Sequence, residues 1–182
     1  PQNFLYGTEY TKEMIDAALS SDNPKALVPT QDESGHGTFL ASVAAGGADV
    51  ENQFLGAAPE SKLAIVKLKP AKKYLKEFYL ITEEKECYQE NDIMLGMRYL
   101  NELANRYDMP LVICIALGSN MGGHNATLPI TGLLEMYANI ANRAVVIGGG
   151  NEANQRHHFY GKAENVNDIK KAEVRVDGGM EG

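Results

Sequence analysis

The sequence predicts an α/β fold in which helices cover both faces of a parallel sheet. Two segments, residues 111–117 and 144–147, are almost continuously apolar and rich in β-branched side chains, a pattern typical of strands buried on both faces. Between and before them lie segments with the composition and apolar spacing of helices. Alternation of helices with such strands favours a parallel sheet, and 182 residues with 44% apolar content suffice for one core.

The first part of the chain is expected to hold two helices and a strand. Residues 11–20 place apolar side chains on one helical face, and the Asn-Pro pair at Asn23 stops that helix. Small and apolar residues predict a second helix over residues 36–46. Residues 63–68 are predicted to form a strand that follows it.

The second part adds two helices, each followed by one of the two apolar strands. An amphipathic helix is predicted over residues 92–107, with Asn91 or Asp92 as its cap. Its apolar positions are Ile93, Leu95, Met97, Leu100 and Leu103. A further helix is expected over residues 130–142, directly before the second strand.

Composition excludes several classes of partner. The net charge of −7 argues against nucleic acid, because phosphate binding needs a basic face. No apolar run approaches the roughly 20 residues that cross a bilayer, so we expect no membrane span.

The two cysteines, Cys87 and Cys114, fit no zinc or C-x-x-C spacing, and we expect free thiols with Cys114 filling space in the core. We expect neither a metal nor a cofactor, and the oligomeric state is left open.

One histidine lies in a setting that suits catalysis. His36 stands between Gly35 and Gly37, where a loop turns into the second helix. Glycines on both sides remove Cβ atoms that would block a substrate backbone, and they tolerate the backbone angles of a tight turn. The sequence therefore predicts an exposed imidazole anchored on a helix, and a capping or surface role is the plain alternative.

A second motif follows the last apolar strand. Three glycines, Gly148 to Gly150, come directly after residues 144–147 and expose the backbone before Asn151. A carboxamide in that place can donate a hydrogen bond to charge that develops on a carbonyl oxygen, which is worth about 3 to 4 kcal/mol in acyl transfer. The chain thus holds a candidate base and a candidate oxyanion donor.

Four motifs, in this order, resemble those of the subtilisin-like serine proteases. They are G-H-G-T around His36, a G-x-A-P-like strand entry over residues 54–68, the apolar strand and A-L-G-S of residues 111–119, and the strand that ends in G-N-E at Asn151. The resemblance spans roughly residues 32–161. It implies a parallel sheet with helices on both faces, present here as an incomplete subtilisin-like fold.

Within that family the chain is most similar to the clostridial spore-germination branch. A Lys-, Tyr- and Glu-rich insert over residues 69–91 and the run over residues 154–161 suggest this. The resemblance implies a partial peptidase domain over residues 1–171 that contains the insert, while residues 172–182 are expected to begin a further strand or an inserted β piece. It also implies a bacterial source, whose compartment, spore-associated or secreted, is left unknown.

The resemblance implies an endopeptidase that cleaves a protein or peptide substrate through a Ser-His-Asp triad. His36 would be the base and Asn151 the oxyanion donor, and we expect them to face a common groove at the rim of the sheet. Two sets of residues would bind substrate: Ala116, Leu117 and Gly118, which would pair with an extended peptide, and Gly148, Gly149 and Gly150, which would line the pocket for the residue before the cut bond.

Two members of the triad have no counterpart in this sequence. The preceding aspartates, Asp16, Asp22 and Asp32, follow no apolar strand, and none of the six serines lies in the family's G-T-S-x-A setting. We therefore expect an internal piece of a longer protease, inactive alone, with the missing groups on either side. The alternative is a catalytically dead homologue that binds a partner or signal molecule through the same cleft.

The motifs allow two other interpretations, a dinucleotide site and a metal site. Residues 148–153 match a dinucleotide fingerprint, but the residues after them lack the apolar periodicity of a phosphate-binding helix. A metal could be held by His124, His157 and His158, or by Asp32 with His36. Adjacent histidines point in different directions on any regular element, so loop packing is the preferred interpretation for them.

Overall fold

A computed structural model describes residues 6–82 and 84–174. The predicted α/β class is confirmed. In chain order the described elements are α1 (Lys12–Leu19), α2 (Pro24–Leu27), α3 (His36–Ala45), α4 (Lys73–Phe78), α5 (Glu90–Arg106), β1 (Leu111–Ile115), α6 (Pro129–Ala138) and β2 (Arg143–Ile147). The β piece expected over residues 172–182 falls mostly on residues 175–182, which lie outside the described residues.

Contacts within the chain divide it into two units, Pro1–Ile65 and Val66–Gly182. The boundary falls inside residues 63–68, where the predicted strand is wrong, since these residues form no regular strand. An apolar run predicts that a segment is buried, whereas a strand also requires a ladder of backbone hydrogen bonds to a partner. In the described structure Leu63 and Ile65 are largely exposed, with 55% and 65% of their surface accessible.

In the first unit, α1 begins as the sequence predicts. The hydroxyl of Thr11 accepts a hydrogen bond from the amide of Met14 at 3.4 Å, which satisfies one of the unpaired donors at the start of the helix. Ala18 on this helix is buried, with 3% of its surface accessible. The short helix α2, which was not predicted, begins at Pro24, whose fixed φ suits the first turn.

The C-terminal end of α3 is bound to the segment that follows it. The amides of Gly56, Ala57 and Ala58 donate to the carbonyls of Gly46, Val43 and Ala44, at distances of 3.0, 3.0 and 2.8 Å. Carbonyls in the last turn of a helix have no partner inside it, so these bonds satisfy groups that would otherwise need water. The G-x-A-P-like motif thus serves here as a backbone cap for α3.

In the second unit, β1 and β2 pair in parallel, with Ile113 opposite Val145. Helices α5 and α6 pack against the face that carries Ile113, whose side chain is 2% exposed, together with buried Met97 and Tyr137. Side chains alternate across a strand, so Val112 turns to the other face, where it is 67% exposed. Cys114 lies on that face too and is exposed, which corrects the expectation that it fills the core.

Helix α5 begins two residues before the predicted start. Gln89 occupies the cap position, and the predicted cap Asp92 instead lies 3.8 Å from the ammonium of Lys69. The carboxylate of Glu90 accepts from the amide of Ile130 at 2.9 Å, so α5 supplies a partner for the first turn of α6. Helix α6 ends at Ala138, four residues before its predicted end, and Asn142 has a left-handed φ of +61°.

The insert over residues 69–91 is closed at its base. Pro70 and Tyr88 form an antiparallel bridge, and the amide of Ala71 donates to the carbonyl of Cys87 at 2.8 Å. Between these ends lies α4, a six-residue helix that the composition of the insert did not predict. Across the described parts of the chain, no helix is both long and apolar enough for a bilayer span.

Candidate active site

His36 is the first residue of α3, as the sequence predicts, and it is exposed. The cap position before it is Gly35, with a left-handed φ of +77°, a conformation that glycine adopts without the cost borne by a side chain. Gly35 has no side chain with which to satisfy the first amides of the helix. A partner for these amides must therefore come from another residue or from water.

Asp32 supplies that partner. One oxygen of its carboxylate accepts from the amide of Gly35 at 2.9 Å and from the amide and hydroxyl of Ser34 at 3.1 and 3.2 Å. The other accepts from both the amide and the hydroxyl of Thr38, each at 2.8 Å. The bonds from Thr38 and Gly35 hold the pKa of Asp32 far below its ordinary value. The turn that carries His36 is therefore closed around an ionised carboxylate.

The carboxyl ends of β1 and β2 bring the predicted substrate-binding residues together. The ladder continues for one bond past the strands, from the amide of Gly148 to the carbonyl of Ile115 at 3.0 Å. Beyond it, a Cβ atom on Gly118 would lie 3.4 Å from the Cα of Gly150. The two segments after the strands, residues 116–118 and 148–150, thus run side by side with their backbones in close approach.

Glu152 binds the backbone at Asn151. Its carboxylate accepts from the Asn151 amide at 2.9 Å, and the same oxygen would lie 2.5 Å from a Cβ atom on Gly150. Gly150 has a φ of +82°, a left-handed conformation that glycine adopts at little cost and that residues with a Cβ atom adopt rarely. A carboxylate therefore occupies the space that the missing side chain of Gly150 leaves open.

Two contacts join the loops that follow β1 and β2. The amide side chain of Asn120 lies 3.0 Å from Nδ1 of His157, and the rings of His124 and His158 meet edge to face with centroids 4.9 Å apart. His124, His157 and His158, considered above as metal ligands, are thus engaged with neighbouring side chains. In residues 6–82 and 84–174, no group of three or more His, Cys, Asp or Glu could hold a metal ion.

His36 belongs to the first unit and Asn151 to the second. The sequence indicates both residues as candidates, but it was not used to predict the contribution of Asp32 to the turn or that of Glu152 to the glycine-rich loop. The spacing of Asp32, Ser34 and Gly35 is that of a turn closed by a carboxylate, and this signal could have indicated the first contribution. No sequence signal pointed to the pairing of Asn120 with His157, because loop contacts 37 residues apart leave no local pattern.

Comparison with known proteins gives a consistent result. The sequence model of the subtilase family matches residues 8–173. The solved structure of the Clostridium perfringens CspB protease is 30% identical in sequence and superposes with a TM-score of 0.70. The match covers 81% of this chain and 30% of that one, so the chain spans about a third of its neighbour's length. No curated protein matches. A family match over nearly all of its residues shows that this chain belongs to the subtilase family.

Proposed function

We propose that this chain is part of a subtilisin-like serine endopeptidase that cleaves peptide bonds by acyl transfer. The subtilase match over residues 8–173 is the observation that carries this proposal. The remaining steps assign roles to residues of this chain on the basis of the family motifs that they match.

His36 is the general base in this proposal. It would take the proton from the serine hydroxyl during attack and return it to the leaving amine. The exposed position of His36 at the start of α3 supports this role, because a base must reach the substrate while its backbone stays fixed. Asn151 would donate from its side-chain carboxamide to the oxyanion. The backbone amide of Asn151 donates to the carboxylate of Glu152.

The peptide substrate would lie along residues 116–118, adding a strand beside the backbone groups beyond β1. Gly148, Gly149 and Gly150 would line the pocket for the residue before the cut bond. The close approach of Gly118 to Gly150 supports a shared binding edge for the two segments. Ligands in parallel α/β sheets bind beyond the carboxyl ends of the strands. Residues 116–118 and 148–150 lie beyond those ends in this chain.

The nucleophilic serine and the triad aspartate would be supplied by parts of the protease outside this chain. Each of the six serine hydroxyls in the chain is engaged locally: those of Ser20, Ser21, Ser34, Ser42 and Ser61 donate to Asp16, Ala18, Asp32, Thr38 and Ala58, and that of Ser119 accepts from the amide of Met121. Asp32 is likewise committed to its own turn. The chain alone is therefore proposed to be inactive.

The test compares variants of the complete protease with the isolated chain. Asn151→Ala should lower kcat by about 10² to 10³ with little change in KM, since the lost bond forms only in the transition state. The matched control is Asn154→Ala, which removes a carboxamide of the same kind three residues further along the same loop. This variant should leave kcat unchanged. Full activity of His36→Ala or Asn151→Ala would refute the roles given to these residues. Peptide hydrolysis by the purified 182-residue chain would refute the proposal that the chain alone is inactive.

A further inference from the structure

We propose that Asp32 is a positioning residue for the His36 base, through the hydrogen bonds that its carboxylate accepts on both sides of the histidine. The inference rests on the proposed function of His36 and adds a residue that the catalytic triad does not contain. Asp32 acts through the backbone, and in the described structure none of its hydrogen bonds involves the His36 ring.

The pattern of bonds fixes the backbone at His36. The carboxylate of Asp32 accepts from the amide of Gly35, one residue before the histidine, and from the amide of Thr38, two residues after it. The amide of His36 itself donates to the hydroxyl of Ser34 at 3.3 Å, and that hydroxyl in turn donates to Asp32. The direction of the Cα–Cβ bond of His36 is therefore set by a network centred on one side chain.

The need for this network follows from the glycine at the cap position. A serine, threonine, asparagine or aspartate at the cap would normally satisfy the third amide of a helix. Gly35 cannot, and its left-handed φ of +77° leaves the turn with a conformation that few other residues tolerate. Asp32 reaches over the turn from three residues upstream and bonds the Thr38 amide, so the absent cap is replaced without placing a side chain beside His36.

The negative charge of Asp32 lies at the first turn of α3, where it is electrostatically favoured. A negative group at the first turn of a helix is stabilised by the amide dipoles that point toward it. Because the pKa of Asp32 is held far below its ordinary value, the carboxylate stays ionised across the range in which an imidazole titrates. The positioning effect should therefore be constant over the working pH range of a protease.

The experiment uses the complete protease with five variants: Asp32→Ala, Asp32→Asn, Thr38→Val, His36→Ala and the matched control Asp49→Asn. Asp49 makes a similar local turn by accepting from the amide and side chain of Asn52, at 3.1 and 2.8 Å. It lies past the other end of α3, a helix of ten residues and about 15 Å. Both aspartates close a local turn with their carboxylates, but the side-chain bonds of Asp49 go to Asn52 and not to the residues beside His36.

Asp32→Ala is expected to lower kcat by about 10²-fold with KM changed less than twofold, since misplacement of a catalytic group by about 1 Å costs that much. Asp32→Asn keeps one carbonyl acceptor and should restore part of the loss, to within about 10-fold of the parent protein. Asp49→Asn should leave both constants unchanged. A loss that appears only in KM, or an equal loss in Asp49→Asn, would contradict a positioning role.

Thr38→Val keeps the inference testable should Asp32→Ala fail to fold. It removes the hydroxyl bond to Asp32 while the amide bond remains, and it should lower kcat severalfold without a change in KM. Unchanged kcat in both Thr38→Val and Asp32→Asn overturns the inference. His36→Ala separates the two proposals: if it abolishes turnover while the Asp32 variants retain it, only this inference fails, and if it retains turnover the proposed function itself fails.

Discussion

The amide of Gly56 donates to the carbonyl of Gly46 at 3.0 Å, and the two backbones approach so closely that a Cβ atom on Gly56 would lie 2.4 Å from the Gly46 nitrogen. This contact joins the end of α3 to the segment that satisfies its last carbonyls. Helix α3 is thereby bound at its C-terminal end by backbone and at its N-terminal end by Asp32. The element that carries His36 is held at both ends within its own unit.

Gly56→Ala is expected to destabilise the first unit by about 3 kcal/mol, at the upper end of the range for overpacking, because the atoms that the new methyl meets are backbone. Gly47→Ala is the matched control, since no atom lies within 4 Å of a Cβ at that position. Urea unfolding would measure both, as a shift of the midpoint at constant slope. Equal midpoints for the two variants would contradict the close approach.

A second pair of substitutions tests the core of the second unit. Ile113→Ala should cost about 3 kcal/mol of unfolding free energy, because it leaves a cavity between β1 and the residues Met97 and Tyr137. Its neighbour Val112, on the exposed face of the same strand, should tolerate the same truncation within about 0.5 kcal/mol. Thermal or urea unfolding of both variants measures these changes in stability. A larger loss of unfolding free energy for Val112→Ala than for Ile113→Ala would mean that the buried and exposed faces of β1 are assigned the wrong way round.

The elements with a strong local signal could be predicted from the sequence. Both strands of the sheet and the longest helix, α5, were found within a few residues of their ends, since apolar periodicity and β-branched runs are local properties. Residues 63–68 were not predicted correctly, because an apolar run carries no information about the partner that a strand needs. Cys114 was misplaced for a related reason: an apolar strand predicts burial on both faces, while the described structure covers the one that carries Ile113.

For the candidate site, the sequence indicates the residues themselves but only some of the interactions that hold them. His36 and Asn151 were identified by residue type and by the glycines beside them, which is information that the chain carries locally. The spacing of Asp32, Ser34 and Gly35 could have indicated the turn that holds His36, whereas the contact at Asn151 could not be deduced in this way. The carboxylate of Glu152 folds back onto its neighbour's amide, and such a contact depends on a backbone conformation, here the positive φ of Gly150, that a sequence permits without requiring.

Arg143 links the start of β2 to α5 and to the chain before β1. Its guanidinium donates to the side chains of Asn101 and Asn105 and to the carbonyl of Met109, which lies 3.2 Å away. Lysine cannot reproduce this planar set of donors, so Arg143→Lys should cost about 2 kcal/mol of unfolding free energy.

The matched control for Arg143→Lys is Arg98→Lys, which alters an exposed pair with Glu102 one turn along α5. Exposed pairs of this kind contribute little, so the unfolding midpoint of this variant should equal that of the parent chain. Urea unfolding of the two variants side by side provides the measurement. If Arg143→Lys left the midpoint unchanged as well, the guanidinium bonds would have no net effect on stability.

The lowered pKa of Asp32 predicts how stability depends on pH. A carboxyl group that binds protons less readily in the folded chain adds stability above its unfolded pKa, near 4, and loses it as pH falls toward the lower folded value. The difference in unfolding free energy between the parent chain and Asp32→Asn should therefore be constant above about pH 5 and should shrink below about pH 4. Urea unfolding from pH 2 to pH 8 measures this difference directly. A difference that stayed constant down to pH 2 would show that the carboxylate of Asp32 is not held by Thr38 and Gly35 as described.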